Sequence, residues 1–152
     1  MCSSDLVELA QAERGPKLLL MTLQWEVALR LLAQAGDEDY GVLTLFIHLN
    51  YQPGDWFKIP ASCFFPEPEI DSACLKLVRR SEPLLPLAQA QLFYRLVKRG
   101  FSQRRKMMLK LLKTEWPARA LEEAFAQIGI SAQVRAEAVS LDQFVKLTKI
   151  LS

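Results

Sequence analysis

Apolar and polar positions follow two different rhythms along this chain, and the change falls near residue 80. Lys17 to Leu23 (KLLLMTL) is a short continuous apolar run opened by Gly15-Pro16, the pattern of a strand buried on both faces. Gln24 to Ala35 then places Val27, Ala28, Leu31 and Leu32 at helical spacing, and Gly36 stops it. Gly41 to Tyr51 (GVLTLFIHLNY) reads as a second long strand, with Gln52-Pro53-Gly54-Asp55 as a turn by composition. Trp56 to Ile59 suits a short strand and Asp71 to Val78 a clear one. Pro60 to Ile70, with three prolines and two adjacent phenylalanines, is incompatible with regular structure.

Arg79 to Pro86 has no periodicity and carries two prolines, so a domain boundary is expected there. Beyond it the spacing is helical throughout. Helices are predicted over Leu87 to Lys98, Gln103 to Lys113, Pro117 to Ile128 (closed by Gly129) and Leu141 to Leu151. Ser140, with Gln143 three residues on, forms a capping-box pattern ahead of the last. No internal repeat and no low-complexity tract interrupts the chain.

Composition narrows the function classes. With 152 residues, 51% of them hydrophobic, the chain can bury one or two small cores. Its longest apolar run, Gly41 to Leu49, is too short to cross a bilayer, and no basic segment followed by an apolar one suggests a secretory signal. Cys2, Cys63 and Cys74 form an odd set without CxxC spacing and His48 is the sole histidine, which argues against a disulfide framework or a metal site. A reduced, cytoplasmic, membrane-free protein is expected, acting as a monomer. The net charge of +2 hides an asymmetry: Pro86 to Thr114 holds eight Lys/Arg and no Asp or Glu. Such a local field points to a polyanionic partner.

Two groups of residues could carry chemistry. In the first, Phe64-Phe65-Pro66-Glu67-Pro68-Glu69-Ile70-Asp71-Ser72, two spaced prolines stiffen a loop leading into a strand and hold an aromatic at the strand's mouth. An edge loop whose phenylalanines cap the core fits the same residues. The second group is basic. Arg95, Lys98 and Arg99 lie away from the apolar face formed by Phe93, Leu96 and Val97. Lys106, Lys110 and Lys113 fall at i, i+4 and i+7 opposite Met108, Leu111 and Leu112, just after Arg104 and Arg105. An ordinary solvated face mixes both signs; one without acids suits phosphate contacts that position RNA without reading its bases.

These residues, with others along the chain, resemble a known family. Ile59-Pro60-Ala61-Ser62-Cys63, followed by Phe64-x-Pro66-x-Pro68-x-Ile70-Asp71-Ser72-Ala73, resembles the post-catalytic loop of the small-subunit rRNA adenine N6,N6-dimethyltransferases, the kasugamycin-resistance enzymes. Gln24-Trp25-Glu26-Val27-Ala28-Leu29-Arg30-Leu31 is similar to the family's Gln-Lys-Glu-Val-Ala-x-Arg-Leu helix, and Tyr40-Gly41-x-Leu43-Thr44 to its Tyr-Gly-x-Leu-Ser segment. Downstream, Phe101-Ser102-Gln103-Arg104-Arg105-Lys106 resembles Phe-x-Gln-Arg-Arg-Lys. Gly129-Ile130 with Arg135-Ala136-Glu137 and Ser140 resembles the run near the family's C-terminus. The Arg-Arg-Lys segment also favours this family over the antibiotic-resistance relatives that modify large-subunit rRNA. Glu69 stands where the family usually has Lys.

The resemblance implies an α+β chain: three to four C-terminal strands of a Rossmann-like methyltransferase sheet over residues 7–80, then a small all-α, rRNA-binding domain over 87–152. Phe64 would stack on the flipped target adenine, replacing the neighbours the base loses. Arg95, Lys98, Arg99, Arg104, Arg105, Lys106, Lys110 and Lys113 would grip small-subunit rRNA. The family uses S-adenosylmethionine, but its glycine-rich turn, its acidic residue after the second strand and its Asn-Leu-Pro-Tyr segment do not occur in this sequence. This chain is therefore expected to bind no cofactor and to be an inactive piece of the enzyme. Cys2-Ser3-Ser4-Asp5-Leu6 matches the translated end of a sequencing adapter, so residues 1–6 are expected to be artefact or disordered, a native polar N-terminus being the alternative. Two other functions compete: a stand-alone non-catalytic RNA- or ribosome-binding module, and a structural α+β domain.

Overall fold

A computed structural model describes residues 3–152. The first helix, α1, spans Ser3–Gln11. Met1 and Cys2, part of the opening segment expected to be artefact or disordered, lie outside the described residues; Leu6 is buried against the sheet. Strand β1 (Leu18–Gln24) and helix α2 (Trp25–Leu32) follow where the spacing put them.

Gly41 to Tyr51 is not a strand. Val42–His48 forms helix α3, with Thr44, Leu45, Phe46 and Ile47 all buried. A continuous apolar run marks a fully buried segment of either kind, and periodicity alone cannot separate them. The helix lies between two cores: Ile47 packs with the sheet, while Leu45 and Phe46 pack with the C-terminal helices. Thr44 Oγ1 donates to the Arg30 carbonyl (2.6 Å) and accepts from the Gly41 N–H (3.2 Å), which starts the helix and ties it to α2.

Gln52-Pro53-Gly54-Asp55 is not a turn either. It lies within strand β2 (Tyr51–Ile59), which pairs antiparallel with β3 (Ser72–Arg79). Pro53 faces Leu77 and Trp56 faces Leu75, so three steps along β2 match two along β3. The turn-forming residues specify a β-bulge, on a strand that Pro53 confines to the sheet's edge. The sheet is three-stranded, ordered β1-β3-β2 and antiparallel throughout.

One face of this sheet carries Met21, Leu23, Ala73, Leu75 and Leu77, covered by α1, α2 and α3. The other face is open, which corrects the expectation that β1 is buried on both sides: Leu20 is 67% exposed, with Leu18 and Phe57 half-exposed or more. β1 also lacks the devices that protect an edge, having no charge, proline or bulge, whereas β2 has all three.

The second core is helical, built from α4 (Leu87–Gly100), α5 (Met108–Leu112), α6 (Ala118–Ile128) and α7 (Leu141–Leu151). Phe93 and Phe144 meet edge to face at 6.4 Å, both fully buried. Gly129, at φ 73°, ends α6 in the left-handed conformation, and the Ile130 N–H returns to the Phe125 carbonyl (3.0 Å). Ser140 and Gln143 exchange the reciprocal hydrogen bonds of a capping box at the start of α7.

The helix expected over Gln103 to Lys113 shrinks to the five residues of α5. The Met108 N–H bonds to the Val134 carbonyl across the fold (2.8 Å), and Gln103–Lys106 closes a separate turn. Three consecutive cations offer no apolar face to bury, so nothing draws that segment onto the core in helical form. Residues 33–41 also join the helical core, through Ala33 and Tyr40. The Tyr40 hydroxyl donates to the Val139 carbonyl (2.8 Å), and the Gly36 N–H bonds to the Glu137 carbonyl (2.8 Å).

Candidate nucleic-acid interface

The proline-rich loop closes the hairpin between β2 and β3, where Ile59 pairs with Ser72. Asp71 fastens its base. Its carboxylate forms an ion pair with Lys58 Nζ (2.9 Å) and accepts the Ala61 N–H (2.9 Å), while its backbone carbonyl accepts the Trp25 N–H (2.9 Å). The Lys58 hydrogen bond, then the Ala61 N–H, hold the Asp71 carboxyl below its usual range. A single 3-10 turn, Ala61–Cys63, leads to Phe64, and the Phe65-Pro66 peptide is cis.

Phe64 is 37% exposed and belongs to neither core; Phe65 is wholly exposed. Part of the ring is therefore open to solvent. Beside the loop, Trp25 and Trp56 pack with centroids 5.7 Å apart, and Lys58 Nζ sits 4.9 Å over the Trp25 ring. Sequence reasoning missed Asp71 and this aromatic pair as supports of the hairpin. The available signals were the Ile-Asp-Ser run and Trp25 itself, which replaces the Lys of the similar helix.

The eight basic residues do not form one carboxylate-free patch. Arg95 Nη2 lies 3.2 Å from Glu115, and Arg99 Nε 3.6 Å from the other oxygen of the same carboxylate. Arg104 reaches the Glu38 carbonyl and pairs with Glu137 at 3.5 Å, and Lys113 pairs with Glu122 at 2.5 Å. These acids lie outside the Pro86–Thr114 window, and tertiary folding returns them to it. Arg105, Lys106 and Lys110 are exposed and form no ion pair among the described residues. Lys98 lies over the Phe46 ring at 5.8 Å. Because α5 begins at Met108, Lys106 does not share a helix with Lys110 and Lys113.

No cluster of three metal-ligating side chains occurs among the described residues, and Cys63 and Cys74 are free. His48 is structural. Its Nε2 donates to the Leu31 carbonyl (2.7 Å), and burial, aided by the Arg80 charge, lowers its pKa despite that hydrogen bond. The residues present do not fit the methyl donor. The two glycines with positive φ, Gly36 and Gly129, both follow helices, and the sheet has no parallel strand pair leading into a glycine-rich turn. No helix among the described residues is long and apolar enough to cross a membrane.

The chain is 37% identical over 136 residues to ribosomal RNA small subunit methyltransferase A of Caldanaerobacter subterraneus, covering 89% of this chain and 51% of that protein. It is 34% identical to the same-named protein of Chlamydia felis, covering 90% and 48%. Thus the chain spans about half the length of the curated relatives it matches. The crystal structure of the 23S rRNA methyltransferase ErmE superposes with a TM-score of 0.70 at 25% identity, over 98% of this chain and 60% of that one. A dimethyladenosine transferase from Plasmodium falciparum shares the fold, with a TM-score of 0.75 at 20% identity, over 95% of this chain and 60% of that one. The model of the ribosomal RNA adenine dimethylase family matches residues 2–152, and the chain belongs to that family.

Proposed function

We propose that this chain is the C-terminal part of an S-adenosylmethionine-dependent rRNA adenine N6,N6-dimethyltransferase that acts on small-subunit rRNA in the cytoplasm. Residues 7–80 supply the last strands of the catalytic sheet, and residues 87–152 an rRNA-binding helical unit. One observation carries the reading: the Phe64 hairpin, fixed at its base by Asp71, presents a partly exposed ring in a chain that the family model matches along almost its whole length.

The chemistry divides between the halves of the parent. The methyl donor supplies an electrophilic methyl group when bound, and its glycine-rich turn does not occur among the described residues. What this chain offers is a π-face for an unstacked adenine and cations for the surrounding phosphates. Phe64 acts by holding the base. The chain alone is inactive and does not bind the donor.

The test uses the enzyme with its upstream half restored. Phe64→Ala should lower turnover by a factor equivalent to about 1–3 kcal/mol of lost stacking, while the melting temperature stays near that of the parent. A melting temperature that falls while turnover per folded molecule is retained would return Phe64 to a packing role. Calorimetric titration of the 152-residue chain with S-adenosylhomocysteine should show no heat of binding; a micromolar dissociation constant would overturn the division of labour.

A further inference from the structure

On the exposed side of α4 and the segment leading from α5 to α6 lies a depression of about 350 Å³, lined by Arg95, Lys98, Arg99, Ser102 and Glu115. Arg95 and Arg99 are one helical turn apart, so both guanidiniums reach the same spot. Each is held in place from behind. Arg95 lies 5.3 Å over the Trp116 ring, and Arg99 donates to the Leu111 carbonyl (3.1 Å) and twice to Thr114 Oγ1 (2.8 and 2.6 Å). Lys98 stands exposed on the same turn.

The site already receives an anion. The Glu115 carboxylate accepts a hydrogen bond from Arg95 with one oxygen (3.2 Å) and sets the other 3.6 Å from Arg99 Nε, within ion-pair range. One acid set between two guanidiniums marks a place where a phosphodiester could also be held, with the Nη groups of both arginines as donors. The Glu115 side chain is 35% exposed, on a connecting segment rather than within a helix. Solvent-exposed pairs of this kind contribute little to stability, so the carboxylate can be exchanged for another anion.

We propose that Arg95, Lys98 and Arg99 form a discrete RNA-phosphate subsite, and that Glu115 occupies it as an internal stand-in until the RNA backbone displaces it. This rests on the reading of the helical unit as RNA-binding. It differs in making one acidic residue a brake on that binding and in separating these three cations from Arg105, Lys106 and Lys110.

Filter binding of the 152-residue chain to a short RNA stem-loop, across a potassium chloride series, tests it. Glu115→Gln should tighten binding about five- to eightfold at 0.1 M salt, the gain from one added phosphate contact of slope 0.7–0.9, and should steepen the salt dependence by the same slope. Arg95→Gln with Lys98→Gln should flatten it by about 1.5 units. Adding Glu115→Gln to that double variant should then give much less than the five- to eightfold gain. Far-ultraviolet circular dichroism establishes that each variant is folded. The subsite is refuted if Glu115→Gln leaves affinity and slope unchanged, or helps equally in the double variant, as diffuse charge removal would. If binding responds to Lys106→Gln and Lys110→Gln but to none of these changes, the subsite alone fails. If binding responds to neither set, nor to salt, the RNA-binding reading fails with it.

Discussion

Replacing Lys106 and Lys110 by Gln removes two exposed cations that form no ion pair among the described residues. Each phosphate that the protein no longer neutralises keeps its counterions, lowering the slope of log K against log salt by about 0.7–0.9, so the pair should flatten it by about 1.4–1.8. Adding Lys113→Gln should change the slope by less than one further phosphate would, because Glu122 holds that ammonium at 2.5 Å, closer than Glu115 lies to Arg95 or Arg99 and so harder to displace. The triple variant therefore falls short of the change of about 2.1–2.7 that three equal lysines would give. Folding should survive, since Met108, Leu109, Leu111 and Leu112 carry the packing on the buried side. Preference among RNA sequences should not change, because phosphate contacts do not read bases. Filter binding over a salt series measures all of this. An unchanged slope in the double variant would reduce these lysines to a solvated surface, and equal steps for all three would refute the role given to Glu122.

Three further outcomes follow from the packing. Tyr40→Phe leaves the buried Val139 carbonyl without its 2.8 Å donor and should cost about 1–3 kcal/mol in urea unfolding, with the slope of the transition unchanged; a loss within error would show that water replaces the hydroxyl. Because burial depresses the His48 pKa in the folded state, the unfolded chain binds more protons below its ordinary value of about 6.5. Stability should therefore fall as pH drops from about 6.5 towards the folded pKa, and thermal melts of His48→Gln should lack this component; a parallel decline in both proteins would assign it to other groups. Leu20→Lys, on the open face of the sheet, should change stability by about 0.5 kcal/mol or less while reducing binding of a hydrophobic dye. Unchanged dye binding would place the accessible apolar surface elsewhere.

The sequence by itself determined those features whose physics is local. Ser140 and Gln143 lie three residues apart, and a capping box needs nothing else. Gly129 closes α6 because the required left-handed conformation belongs to that one residue. The order of the family's motifs around Phe64 was equally legible, since it is written in consecutive residues. Tertiary structure decided whatever depends on partners distant along the chain. Gly41 to Tyr51 contains a helix because two separate cores bury it on opposite sides, which no window of that segment reveals. Pro53-Gly54 forms a bulge because β3 lies alongside; without a partner strand the same residues read as a turn. The basic stretch looked free of acids, yet Glu115, Glu122 and Glu137 fold back onto Arg95, Arg99, Lys113 and Arg104. Charge along a sequence is one-dimensional, whereas the field at a phosphate depends on distance in space, and only the fold supplies that distance.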